Sequence, residues 1–200
     1  MQAALQHLRR DPVLARIIDR VGDYNIQFRD PTFDSLVRSI VSQQLSGKVA
    51  SVIFGRLAAA VPEGQLTPEN ILKLRTERMR KLGLPGQKTA YIRDLAKHAK
   101  RGKISFIELP GMPDEQVIEH LTQVKGIGVW TAHMFLIFAL QRPDVLPTGD
   151  LGIRSAIRKA YVLEELPGIA EIEQLAGRWR PYCSIASWYL WRSLENQAVL

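Results

Sequence analysis

The sequence of 200 residues contains a single cysteine, Cys183. One cysteine excludes a disulfide within the chain and an iron–sulfur cluster held by four of its own thiolates. The sequence also lacks an apolar run of membrane-spanning length, and its first twenty residues do not have the pattern of a signal peptide. We therefore expect a cytoplasmic protein that makes no contact with a membrane.

Strand-like alternation, internal repeats and low-complexity linkers are missing as well. Apolar residues recur instead at helical spacing. We predict an all-α fold that forms a single unit over residues 1–200, with two intimately packed helical lobes and a groove between them. Residues 31–140 are expected to form the more contiguous lobe. Predicted helices cover residues 11–21, 33–57 with a break at 42–47, 67–74, 89–100, 129–140, 151–161, 169–177 and 182–194, and another begins at Pro113.

Lysine and arginine outnumber aspartate and glutamate by 27 to 20, which gives a net charge of +7. This excess favours a polyanionic partner, and the alternative is that it only keeps the protein soluble. One basic run is compatible with phosphate contact and with a solvated helix face. Its members are Lys88, Arg93, Lys97, Lys100, Arg101 and Lys103.

The centre of the chain has the pattern of two helices joined by a tight turn. Pro113 followed by two acidic residues is typical of a helix start, and a second helical pattern begins at Val129. Between them, Gly126 and Gly128 flank one apolar residue, so the backbone can turn sharply and approach another molecule closely. The turn fits an αα-hairpin packed for stability, and it also resembles a helix-hairpin-helix motif that binds a DNA phosphate.

A loop rich in glycine and proline follows and leads to Asp150, which opens a further predicted helix. The hairpin, the loop and the aspartate together resemble the helix-hairpin-helix DNA glycosylase superfamily. Within it, the chain is similar to the bacterial 3-methyladenine DNA glycosylase II branch over about residues 31–192. The motifs that carry this resemblance are residues 126–132, Leu146-Pro147 with residues 150–154, and residues 178–182 with Trp191.

The resemblance implies a monofunctional DNA glycosylase that removes alkylated purines such as 3-methyladenine from duplex DNA. Such an enzyme rotates the nucleotide out of the helix and hydrolyses the N-glycosidic bond. Asp150 is then the catalytic carboxylate that stabilises charge on the sugar, and it is also a natural helix cap. Asp144 is a weaker candidate, because it lies before Pro147 and departs from the family pattern. Related lyases carry a lysine at the position of Trp130, so we expect an intact abasic site as product.

The same resemblance implies the remaining site residues. The predicted base pocket contains Trp130, Trp191 and His133. Tryptophans on amphipathic helices more often belong to the core, and a lone histidine on a helix is more often structural or surface-exposed. The predicted DNA contacts are Lys125, Gly126, Ile127, Gly128 and Thr131, and an alkali ion is expected at the carbonyls of Thr122, Val124 and Ile127. The helix break at residues 43–46 is expected to supply a wedge that fills the gap in the duplex, with Gln44 and Leu45 as candidates.

Two other interpretations stay open on the residues alone. A non-catalytic DNA-binding module would use the hairpin without Asp150, and a glycosylase for uracil, mismatches or oxidised bases would share most of these motifs. We expect a monomer that binds double-stranded DNA containing alkylated bases and needs no cofactor.

Overall fold

The computed structural model describes residues 1–195 and confirms an all-α fold for them, with no strand in this range. None of the helices within these residues has the length and apolar character needed to cross a membrane. Two 3₁₀ turns lie at Pro62–Gly64 and Leu109–Gly111. The twelve α-helices of the described chain are α1 Gln2–Leu8, α2 Pro12–Val21, α3 Phe33–Ser42, α4 Gly47–Ala59, α5 Pro68–Lys73, α6 Thr76–Lys81, α7 Gly86–Lys100, α8 Asp114–Thr122, α9 Val129–Phe138, α10 Leu151–Ala160, α11 Ile169–Ala176 and α12 Cys183–Glu195.

Most predicted helices are confirmed to within about three residues at their ends. The break between α3 and α4 is present, and Thr67 caps α5 by accepting a hydrogen bond from the Asn70 amide. Helix α7 begins three residues earlier than expected, at Gly86. Helices α1 and α6 were not predicted, and they have only seven and six residues. Helices this short carry too few apolar repeats for a periodic pattern to be recognised.

The chain forms two compact units. The terminal unit comprises Met1–Phe28 and Leu136–Leu200, of which the residues up to Glu195 are described, and the central unit comprises Arg29–Phe135. The boundary falls inside α9, after Phe135. The central unit is therefore contiguous in sequence, whereas the terminal unit is assembled from both ends of the chain.

Helix α12 forms the centre of the terminal unit and packs against α2 and α10. Every residue from 183 to 190 is buried, which is the pattern of a helix surrounded by protein rather than one lying at a surface. Trp179 and Tyr189 are among the largest fully buried side chains. This packing fixes the axis of α12, and with it the position of Trp191 near its end.

Helix α7 has the corresponding role in the central unit, where it packs against α3, α5 and α6. Its apolar side is buried at Ile92, Leu95 and Ala96. Helix α3 buries Leu36, Val37, Ile40 and Val41 and also packs against α4. The end of α3, where the chain breaks before α4, is thereby held close to the start of α7.

Asp11 ties three parts of the terminal unit together. Its carboxylate is 3% exposed and caps α2 by accepting hydrogen bonds from the amides of Val13 and Leu14. It also accepts hydrogen bonds from the Tyr161 hydroxyl at 2.5 Å and from Nε1 of Trp179 at 3.0 Å. Burial acts to raise the pKa of Asp11, but these hydrogen bonds outweigh burial and hold the pKa below its ordinary value.

We expect Asp11→Asn to lower the free energy of unfolding by about 1–3 kcal/mol at pH 7, because the indole N–H of Trp179 loses a charged acceptor in a buried position. Chemical denaturation measures the difference. Asp19→Asn is the matched control, since Asp19 pairs with Arg9 at an exposed site and such pairs contribute less than about 1 kcal/mol.

The effect of Asp11 also has a defined pH dependence. A carboxyl whose pKa is lowered by folding stabilises the protein above its ordinary pKa of 3.8, and that contribution disappears as the pH falls through the folded-state pKa. The difference between the natural protein and Asp11→Asn should therefore be smaller at pH 3 than at pH 7. An unchanged difference would contradict the assignment of the stabilising form to the carboxylate.

Candidate active site and nucleic-acid interface

The predicted hairpin is present in the central unit, between the end of α8 at Thr122 and the start of α9 at Val129. The amide of Lys125 donates a hydrogen bond to Oδ2 of Asp94 on α7 at 2.9 Å. The amide of Ile127 donates to the carbonyl of Val124 at 3.1 Å. The turn is thus closed on itself and anchored to α7.

Gly126 and Gly128 occupy different environments in this turn. Gly126 has φ +82°, and a Cβ built on it would lie 2.0 Å from Cδ2 of Tyr91. Gly126 is therefore required both by its backbone conformation and by the tyrosine ring. Gly128 lacks a positive φ, and a Cβ built there would meet nothing within 4 Å. Nothing within the described chain therefore requires glycine at position 128, so the open space there is available to a partner.

The predicted DNA contacts divide into exposed and buried groups. Lys125 and Gly128 are exposed. Ile127 is 3% exposed and Thr131 is 4% exposed, so in this structure their side chains belong to the interior of the turn. The alkali-ion site stays a prediction; carbonyl oxygens are suitable donors for a hard cation, and that of Val124 also accepts the Ile127 amide.

The break between α3 and α4 lies against the hairpin. Nε2 of Gln43 donates to the carbonyl of Gly126 at 2.8 Å and lies 3.4 Å from the Thr131 hydroxyl oxygen. The next residue, Gln44, has φ +56° and is exposed, whereas Leu45 is half-buried. The structure therefore brings the two predicted DNA-binding segments of the central unit together.

Trp130 and His133 lie one turn apart on α9, on its less buried side. Trp130 is 46% exposed and follows Val129, which is 52% exposed. The start of α9 therefore presents two adjacent apolar side chains that are about half exposed. Burial lowers the pKa of His133 below its ordinary value, against the opposing effect of the Asp114 charge, so the neutral form of the imidazole predominates at pH 7.

In the terminal unit, Asp150 and Trp191 are in direct contact. Oδ1 of Asp150 accepts a hydrogen bond from the Ile153 amide at 2.8 Å, which caps α10, and another from Nε1 of Trp191 at 2.9 Å. The Trp191 ring is stacked on Phe138, with 5.9 Å between ring centroids and 24° between planes. The carboxylate is thus oriented by a helix terminus and by an indole that is itself held in place.

Gly152 supports this contact, a role that was not predicted from the sequence. A Cβ built on it would lie 2.9 Å from Oδ1 of Asp150 and 3.1 Å from Cδ1 of Trp191. Glycine at this position therefore leaves room for the contact between carboxylate and indole. The signal present in the sequence was a glycine inside a helical pattern, two residues after the candidate aspartate.

Asp144, the competing carboxylate, is engaged elsewhere. Its Oδ1 accepts a hydrogen bond from the Cys183 amide at 3.1 Å, at the start of α12, and its Oδ2 pairs with Arg180 at 2.7 Å. This hydrogen bond raises the pKa of Arg180. Asp144 thus has a structural role, which supports the ranking of Asp150 above it.

The chain is similar to known DNA repair proteins in sequence and in structure. Residues 37–181 match the family described as HhH-GPD superfamily base excision DNA repair protein. DNA-3-methyladenine glycosylase 1 of Schizosaccharomyces pombe is 35% identical over 184 residues, which is 89% of this chain and 80% of that protein. The S. pombe 3-methyladenine DNA glycosylase in complex with abasic DNA has a TM-score of 0.85 and 35% identity, with 95% of each chain covered. A DNA-3-methyladenine glycosidase from Bacillus halodurans has a TM-score of 0.85 and 37% identity, covering 96% of this chain and 88% of that one.

The two hairpin glycines should respond differently to the same substitution. We expect Gly126→Ala to lower the free energy of unfolding by more than about 1 kcal/mol. The positive φ alone costs about 1–3 kcal/mol in a residue other than glycine, and the Tyr91 ring also disfavours a Cβ. Gly128→Ala should change it by no more than about 0.5 kcal/mol. Urea denaturation of both variants gives the comparison, and equal losses would contradict the distinction drawn from the structure.

Proposed function

The chain belongs to the HhH-GPD superfamily of base excision DNA repair proteins, and from this we propose that it is a monofunctional DNA glycosylase for alkylated purines such as 3-methyladenine. Its substrate is duplex DNA, and its products are the free base and an intact abasic site. Support comes from the relatives named as 3-methyladenine glycosylases and from the similar structure solved in complex with abasic DNA.

The geometry at Asp150 carries this proposal. One carboxylate oxygen is held by the Ile153 amide and the Trp191 indole, so its direction is fixed before any substrate binds. A preoriented negative charge stabilises positive charge that develops nearby in a transition state without further reorganisation. Both oxygens of Asp144 are instead engaged, one by the Cys183 amide at the start of α12 and the other by Arg180.

The proposed reaction breaks the bond between C1′ of the sugar and the purine nitrogen. The bonding electron pair leaves with the base, which turns a cationic methylated purine into a neutral one, while positive charge develops on the sugar. Asp150 stabilises that charge, as carboxylates do in other glycoside cleavages. Water then adds to C1′ and gives up a proton, for which the Asp150 carboxylate is the proposed acceptor.

The hairpin is the proposed contact with the DNA backbone. Helix α9 begins directly after Gly128, and the first amides of a helix form a favourable site for a phosphate. The open space at Gly128 lets a phosphate approach these amides, and exposed Lys125 adds a positive charge. Thr131 and Ile127 are buried, so we assign them to supporting the turn from within.

Trp130 is the proposed aromatic contact for the base, because nearly half of its surface is exposed. The face of an indole attracts a cationic purine by about 0.5–2 kcal/mol. His133 lies one turn away, and its lowered pKa keeps it uncharged at pH 7. A neutral histidine adds no repulsion toward a cationic base.

Gln44 is the proposed wedge. It is exposed and has a positive φ, whereas Leu45 is half-buried. A left-handed conformation in a residue other than glycine is uncommon and persists only where neighbouring groups fix it. An extended amide side chain at this position is able to fill the space of a nucleotide that has rotated out.

The proposal is tested by incubating the protein with methylated duplex DNA and measuring released bases and strand breaks. We expect release of methylated purines, with strand breaks appearing only after hot alkali. Tight binding to the duplex without base release would instead identify a DNA-binding module, and breaks without alkali would identify a lyase.

Asp150→Asn separates catalysis from folding and binding. Asparagine caps helices about as well as aspartate, so the free energy of unfolding and the affinity for DNA should change little. Excision should fall by at least about a hundredfold, because the charge that stabilises the transition state is removed. Single-turnover excision and equilibrium binding are the two measurements, and a variant that excises at the natural rate would refute the role of Asp150.

Gly152→Ala tests the orientation of Asp150 without removing its charge. The added methyl group should displace the carboxylate from the Trp191 indole, and a misplacement of about 1 Å is sufficient to slow a reaction about a hundredfold. Gly55→Ala in α4 is the matched control, since a Cβ there meets nothing within 4 Å. The control should excise normally and gain up to about 1 kcal/mol of stability from helix propensity. Natural activity in Gly152→Ala would show that this orientation is unimportant.

A further inference from the structure

The turn at residues 43–46 holds a residue in an unfavourable backbone conformation. Gln44 has φ +56°, and such a conformation costs about 1–3 kcal/mol in a residue other than glycine. A conformation of this kind persists only where neighbouring groups fix it. The side chains that fix the turn therefore decide where Gln44 points.

Lys88 provides the first restraint. Its Nζ donates hydrogen bonds to the carbonyl of Val41 at 2.6 Å and to that of Gln43 at 2.5 Å. These carbonyls lie at the end of α3, where backbone acceptors have no partner within the helix and a positive charge is favoured. Lys88 is half-buried, and its burial lowers the pKa of the ammonium group. The lysine is thus directed toward the protein and not toward solvent.

Gln43 provides the second restraint. Its carbonyl accepts the Lys88 hydrogen bond, while its side chain donates to the carbonyl of Gly126. The residue just before Gln44 is therefore bound through its backbone to α7 and through its side chain to the hairpin. The turn has little freedom to relax as long as both contacts persist.

One side of α7 serves both segments. Lys88, Tyr91 and Asp94 follow one another at intervals of three residues, so they line the same side of the helix. Lys88 holds the turn, the Tyr91 ring occupies the space beside Gly126, and Asp94 accepts the Lys125 amide. The spacing between the turn and the hairpin is thus set by a single rigid helix.

We propose that Lys88 is a positioning residue for base extrusion, whose ammonium group holds the turn so that Gln44 enters the duplex at the gap left by the rotated nucleotide. This inference rests on the proposed glycosylase function and goes beyond it, since Lys88 acts through Gln44 and contacts neither the base nor the sugar. Extrusion from a paired duplex costs a few kcal/mol and costs less for an unpaired base. A residue that acts through the wedge therefore matters most when the target base is paired and stacked.

The test compares single-turnover excision of the same methylated purine in two substrates, one fully paired and one with the target in an unpaired bulge. Lys88→Met keeps the length of the side chain but removes both hydrogen bonds. We expect it to slow excision from the paired substrate by about tenfold or more, and excision from the bulge by no more than about twofold. Lys81→Met is the matched control, because Lys81 is exposed at the end of α6 and lies outside the basic run; it should leave the ratio of the two rates unchanged.

A double-substitution cycle with Gln44→Ala provides the second measurement. Once Gln44 is truncated, adding Lys88→Met should slow excision from the paired duplex by no more than about twofold, because the two residues act in one step. If Lys88→Met does not fold, Lys88→Gln is used in both measurements. Glutamine retains a hydrogen-bond donor but lacks the charge. For Lys88→Gln, the ratio of the excision rates from the paired and bulged substrates is expected to fall between the ratios for the natural protein and Gln44→Ala.

If Lys88→Met slowed excision from both substrates equally, the inference would be overturned and Lys88 would have only a role in folding. A uniform loss of affinity with a smaller salt dependence would also overturn it, since that result indicates a direct phosphate contact. The inference would also be overturned if Lys88→Met and Gln44→Ala slowed excision by independent factors that multiply in the double variant. These results are distinct from failure of the proposed function, in which the natural protein would release no base from either substrate and this inference would fall with it.

Discussion

A tyrosine ring next to a glycine sets the geometry of the central unit. Tyr91 occupies the space in which any other residue at position 126 would place its Cβ, and Gly126 has the positive φ that the turn requires. The hairpin therefore lies directly on α7, close enough for Asp94 to accept the Lys125 amide. Gln43 reaches the Gly126 carbonyl from the break after α3. Displacement of this one contact would move both segments that are proposed to touch DNA.

In the terminal unit, the candidate site depends on a helix cap. A capping aspartate is already oriented by the backbone it caps, so little additional ordering is needed to give it a second role. At Asp150 the further donor is the indole of Trp191, which stacks on Phe138 and is carried by the buried helix α12. Asp11 shows the same chemistry in a purely structural setting, where the cap is closed off by Tyr161 and Trp179.

The features predictable from the sequence are those that depend on neighbours along the chain. Helical periodicity gave the all-α fold, and the Gly-x-Gly spacing gave the hairpin. The inward direction of Lys88 was not predictable, because a basic run has the same composition whether it faces solvent, phosphate or carbonyl oxygens. Lys88 bonds to carbonyls more than forty residues away, and Asp144 caps a helix thirty-nine residues away. Contacts of this kind depend on how the helices pack, and helix packing cannot be read from residues that are close together in the sequence.

Discrimination between alkylated and normal bases is only partly explained by the protein side of the proposed reaction. An attraction of about 0.5–2 kcal/mol between an indole and a cation corresponds to no more than about a thirtyfold preference. The remainder comes from the substrate, because a cationic purine leaves as a neutral molecule and its glycosidic bond is already weakened. A single oriented carboxylate is then sufficient help for the bond to break, whereas a neutral purine would need an acid to protonate it.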